Sequence, residues 1–65
     1  MMTVQTNQLR KGDKVRVGPR RIREVASDPR PNYATRTVGI DWLTPGGYYA
    51  GTGNYPETEN WEVVR

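Results

Sequence analysis

The chain contains no cysteine, no histidine and no phenylalanine. Without cysteine there is neither a disulfide framework nor a thiolate metal site. Without histidine the commonest general base and metal ligand is missing. No apolar run approaches the ~20 residues that span a bilayer, and no charged start leads into the apolar stretch of a signal peptide. A cytoplasmic chain without membrane contact, cofactor or metal is therefore expected. Aliphatic residues are scarce too: Val, Ile and Leu total eleven of 65, a level that warns of disorder when net charge is also high. Here ten Lys and Arg face seven Asp and Glu, a net charge of only +3. Six aromatics are present, Tyr33, Trp42, Tyr48, Tyr49, Tyr55 and Trp61. Each can bury roughly 150–250 Å², which replaces the missing Leu and Phe. One small folded domain is expected.

Catalytic constellations are equally thin. Ser27 is the only serine and has no histidine to activate it, so a hydrolase triad cannot be assembled in the usual way. Gly51-x-Gly53 lacks the third glycine and the following Lys with Ser or Thr that a phosphate loop needs. Asp41, Glu57 and Glu59 do not follow the spacing of a cation-binding loop. The expectation is a non-enzymatic protein.

Residues 1–7 are polar with one aliphatic side chain and read as a flexible lead-in to a single domain over 8–65. From Lys14, Val15 and Val17 alternate with Lys14 and Arg16, the period of two that sends one set inward. Lys11-Gly12-Asp13 supplies a turn before this strand, and Gly18-Pro19 ends it. In 20–27, Ile22, Val25 and Ala26 also fit helical spacing, and Pro19 suits a first helical position. The segment is short, however, and the first strand needs a partner; a strand with a bulge is the reading adopted. Residues 28–32 carry two prolines and read as a loop.

The strongest strand is 33–42, with Val38, Ile40 and Trp42 on one face and Thr37, Gly39 and Asp41 on the other. Thr44-Pro45-Gly46-Gly47 has the chemistry of a type II turn. A short strand at 48–50, a flexible loop at 51–54, one tight helical turn at 56–60 and a last strand at 61–64 complete the chain. Of the adjacent Tyr48 and Tyr49, one is expected in the core and one outside, while Tyr33 and Tyr55 are surface candidates. The expected core is Val15, Val17, Ile22, Val38, Ile40, Trp42, Trp61 and Val63. Five short strands separated by turn residues define an all-β fold, a small barrel or sandwich.

The run Leu9-Arg10-Lys11-Gly12-Asp13-Lys14-Val15-Arg16-Val17 resembles the opening of SH3-like barrels, including KOW-type domains. The ending Trp61-Glu62-Val63-Val64 is similar to the last strand of such barrels, which returns to pair with the first. No Lys-Gly repeat of the KOW pattern follows. The resemblance covers about a third of the chain and implies a five-stranded SH3-like barrel. Small SH3-like proteins with such openings are frequent in phage genomes, so the resemblance also implies a phage origin.

Charge is unevenly spread. Residues 1–36 hold nine basic and three acidic side chains, a net +6, and 37–65 hold one basic and four acidic, a net −3. Lys14 and Arg16 on the first strand, Arg20, Arg21 and Arg23 after the Gly18-Pro19 turn, and Arg30 beyond them are the candidate phosphate contacts. Arginine offers a planar fork to phosphate oxygens, and bound counterions are released on contact. Tyr33 lies among these cations and is the candidate for stacking on an unpaired base. Nucleic-acid binding through the Arg-rich face of the first two strands is therefore the leading expectation. Two alternatives stand beside it: Glu59 and Glu62 neutralise Lys14 and Arg16 across strands, or exposed Tyr and Arg grip a protein partner, as a phage-type inhibitor or adaptor of a host protein. Homo-oligomerisation through an exposed strand edge is also open.

Overall fold

The computed structural model describes residues 2–64. The chain is almost entirely β: strands β1 (Met2–Gln5), β2 (Lys14–Gly18), β3 (Arg21–Val25), β4 (Arg30–Asn32), β5 (Thr37–Leu43), β6 (Tyr49–Pro56) and β7 (Asn60–Val64), with one 3-10 turn at Thr6–Gln8. They form one curled antiparallel sheet, a partly closed small barrel, in the order β1-β7-β2-β3-β5-β4 with β6 on the far edge of β5. Strand β7 pairs with β2, as expected, with Val63 opposite Val15. The expected five strands become seven for two reasons. β3 and β4 lie along β5, opposite 42–43 and 37–39 respectively, as one strand interrupted at 26–29. β1 adds an edge beyond β7.

That edge corrects the reading of 1–7 as a lead-in: Met2–Gln5 pair with 60–63, and within that segment Met1 alone lies outside the described residues. Thr6, fully buried, explains why the segment docks. Its hydroxyl donates to the Pro56 carbonyl at 2.7 Å and accepts from the Trp61 indole N–H at 2.8 Å, and its backbone N–H reaches the Glu59 carbonyl. Every strong polar group of this residue is thus paired.

The core is Leu9, Val15, Val25, Val38, Ile40, Trp42 and Val63, with Val4, Ala50, Tyr55 and Trp61 packed against it. Val17 and Ile22 are not part of it. The β2–β3 ladder shifts between Arg16 and Gly18, so Val17 is the extra residue of a bulge and is 38% exposed. Past the bulge, Ile22 sits opposite Arg16 on the outer face, and Val25 takes the inward place.

Three local readings change as well. β4 is a strand despite Pro31 because it pairs on one side only, where a missing N–H is tolerated. The strand expected from residue 33 begins at Thr37, after a turn in which Arg36 takes φ 54°. Gly47 rather than Gly46 takes the positive φ (86°), and the Gly47 N–H bonds the Thr44 carbonyl. A turn extended by a left-handed glycine, not a type II turn, therefore joins β5 to β6. The tight turn near 56–60 is present as a single bond from Glu59 N–H to the Pro56 carbonyl.

Residues 51–54, expected as a loop, lie in the middle of β6 and pair with 39–42. Tyr55 folds its ring over Gly53 and joins Trp42 and Trp61 in a cluster with centroid separations of 5.0–6.1 Å. The ring thus occupies the side-chain space that glycine leaves, and Tyr55 is a packed residue rather than a surface one. Tyr48 and Tyr49 are both exposed, 76% and 68%. Ala50 bulges between the Trp42–Gly51 and Leu43–Tyr49 pairs, which turns Tyr49 outward, while Tyr48 belongs to the hairpin turn.

Candidate functional site

The candidate cations separate into three environments. Arg16 sits opposite both Ile22 and Glu62 on the outer face; its Nε lies 3.0 Å from the Glu62 carboxylate and its Nη1 donates to the Pro19 carbonyl. Both partners are about two-fifths exposed, so the pair is worth ~0–1 kcal/mol. It nonetheless lowers the positive potential of this face. Lys14 stands opposite Glu24 in the same ladder.

Arg30 is bound more firmly. Its guanidinium grips Asp41 with both arms, Nη1 at 2.7 Å and Nη2 at 3.1 Å. The same carboxylate accepts from the hydroxyls of Ser27 and Thr52, each at 2.6 Å, and the Tyr49 hydroxyl lies 2.6 Å from that of Thr52. Gly39 makes room: a Cβ there would approach Arg30 Nη2 at 3.4 Å and Asn54 Oδ1 at 3.2 Å. Hydrogen bonds from Arg30, Ser27 and Thr52 hold the Asp41 carboxyl far below the usual carboxylate range, and the Arg30 guanidinium is raised in turn. Arg30 is thereby committed to the outer face of β5.

Arg20 and Arg21 occupy the third environment. They form the tip of the β2–β3 hairpin, both exposed, with the aliphatic part of Arg21 lying against Gly18. Among the described residues, Arg16 and Arg30 alone pair with a carboxylate. Arg23, half-buried, donates to its neighbour's Ile22 carbonyl. With Lys14, Ile22, Glu24 and Pro45 it lines a niche of about 260 Å³ where the β2–β3 ladder meets the β5–β6 turn. Lys14 and Arg23 therefore both border this niche.

Tyr33 is elsewhere. It is 81% exposed in the β4–β5 turn and borders a larger groove, about 630 Å³, with Leu9, Pro29, Pro31, Val38 and Glu57. Another exposed ring belongs to the β5–β6 hairpin, where Tyr48 packs over Gly46, the residue after the niche's Pro45. Sequence reasoning missed Glu24 and Pro45 as niche residues. The available signal was the parity of β3: once Val25 points inward, Ile22 and Glu24 face out beside Lys14.

No group of three or more Asp, Glu, His or Cys residues that could hold a metal occurs among the described residues. No described helix is long and apolar enough to cross a membrane. No protein-family model, curated protein or solved structure matches the chain.

Proposed function

We propose that this chain is a small SH3-like module that binds single-stranded nucleic acid through the tip of its β2–β3 hairpin. The order of strands supports the SH3-like reading: a meander from β2 to β6 followed by a last strand that pairs with β2. One observation carries the binding reading. Arg20 and Arg21 project at an exposed turn without a carboxylate partner among the described residues, although two acids lie on the adjoining ladder. Solvated, unpaired guanidinium groups are what phosphate oxygens displace counterions from. Tyr48 on the adjacent hairpin gives an exposed ring for a base to stack on. The phosphate-contacting set narrows to Arg20 and Arg21, supported by Arg23 and Lys14. Arg16 and Arg30 belong to the structural ion pairs.

The test is a titration of a dye-labelled single strand of about eight nucleotides, a typical site size for such small folds, at several salt concentrations. Phosphate contacts predict a log–log slope of about −0.7 per contact. No binding at low salt overturns the proposal.

A second reading, a protein-interaction module, rests on the groove between the Thr6–Leu9 segment and β4. Tyr33, Pro29 and Pro31 wall it, and among the described residues Glu57 is the only charged one lining it. An extended, positively charged segment of a partner protein fits that chemistry. Binding that survives nuclease and is lost on Tyr33→Ala, but not on reversal of Arg20 and Arg21, would favour it.

A further inference from the structure

We infer that the niche formed by Lys14, Ile22, Arg23, Glu24 and Pro45 is a slot for one unpaired base, with guanine as its preferred occupant; this rests on the nucleic-acid reading above. The niche joins two hairpins. Ile22 comes from β3 and Pro45 from the β5–β6 turn, and they are the apolar residues of its lining. At about 260 Å³ the space suits a single heterocycle rather than a long chain.

Glu24 is the informative residue. It is half-buried, and its carboxylate has no hydrogen bond or ion pair among the described residues, although Lys14 stands directly across the ladder. A carboxylate repels a phosphate placed directly on it. It welcomes a neutral group that presents N–H donors, because an ionised carboxylate only accepts. Lys14, directly across the ladder, suits the phosphate attached to that same nucleotide.

The bases differ in what they offer two adjacent acceptor oxygens. Guanine presents two parallel donors, N1–H and the exocyclic amino group. Adenine and cytosine present one amino group next to an acceptor nitrogen. Uracil and thymine present one N–H between two carbonyls, which a carboxylate repels. Glutamate therefore ranks guanine first and uracil last. Apolar walls at Ile22 and Pro45 tolerate any base, so the selection falls to Glu24.

The experiment compares a dye-labelled oligouridylate of about eight nucleotides with the same strand carrying two central guanines, at low and moderate salt. The parent protein is expected to bind the guanine strand about 5- to 160-fold tighter, the range one well-placed bidentate contact provides. Glu24→Gln, checked for unchanged thermal melting, is expected to bring the two strands within about twofold while keeping salt-dependent binding of oligouridylate. A parent that binds both strands equally overturns the slot and leaves the arginine-tip reading standing. So does a guanine preference that persists in Glu24→Gln. Absence of binding to either strand overturns both.

Discussion

The ring of Tyr55 lies over Gly53, two residues earlier on the same face of β6, so closely that a Cβ at Gly53 would collide with the ring and its hydroxyl. From that position the Tyr55 hydroxyl accepts the Trp42 indole N–H at 2.9 Å. A glycine that looks like a loop residue is thus the condition for the aromatic cluster at the centre of the fold.

Gly53→Ala should accordingly destabilise the domain by about 1–3 kcal/mol through overpacking alone. Displacing Tyr55 also leaves the Trp42 N–H without its partner, which adds to the cost. Urea unfolding followed by tryptophan fluorescence measures both. An unchanged midpoint would show that the ring does not depend on that space.

Trp42→Ala removes the largest buried side chain, which packs against Tyr55 and Trp61. The expected loss is about 3–5 kcal/mol, enough to abolish folding in so small a domain. Amide chemical shifts collapsed into the random-coil range would be the signature.

Thr6 ties the N-terminal strand to the turn between β6 and β7. Thr6→Val keeps the shape but leaves the Trp61 indole N–H without its acceptor, at about 1–3 kcal/mol. Thr6→Ser should cost less because the hydroxyl is retained. Equal melting of the Val and Ser variants would contradict this role.

Asp41 gives a pH signature. Its carboxyl is lowered in the folded chain by Arg30, Ser27 and Thr52. A group lowered on folding contributes stability above its unfolded value, about 3.9, and loses it as pH falls toward the folded one. The parent should therefore melt at a higher temperature than Asp41→Asn at neutral pH. The gap should narrow progressively below about pH 4. A gap independent of pH would place the effect outside Asp41 ionisation.

Legibility in the sequence varied with how local the deciding interaction was. β5 could be read because Val38, Ile40 and Trp42 alternate with polar or small residues and the strand buries one face. β1 could not: four residues with one inward valine carry no clear alternation, and the buried hydroxyl that docks them bonds residues fifty and more positions away. β6 was hidden because Gly51 and Gly53 mimic a loop while Tyr55 supplies the packing. Ile22 was misplaced by the single extra residue at Val17, which shifts the parity of everything across the ladder. The arginine tip was legible from the Gly18-Pro19 turn and the cations that follow it. The commitment of Arg30 was not, since its acceptor lies eleven positions on and is reached only through the register of β4 on β5.

The most direct measurement of the central claim is the salt dependence of single-strand binding by the parent and by the Arg20→Glu, Arg21→Glu double variant. The hairpin tip is exposed, so the change should leave stability nearly unaltered. Phosphate contacts at the tip predict weaker binding across all sequences and a log–log salt slope shallower by about 1.4, two contacts at about 0.7 each. A folded double variant that binds with the parent's affinity and slope would contradict it.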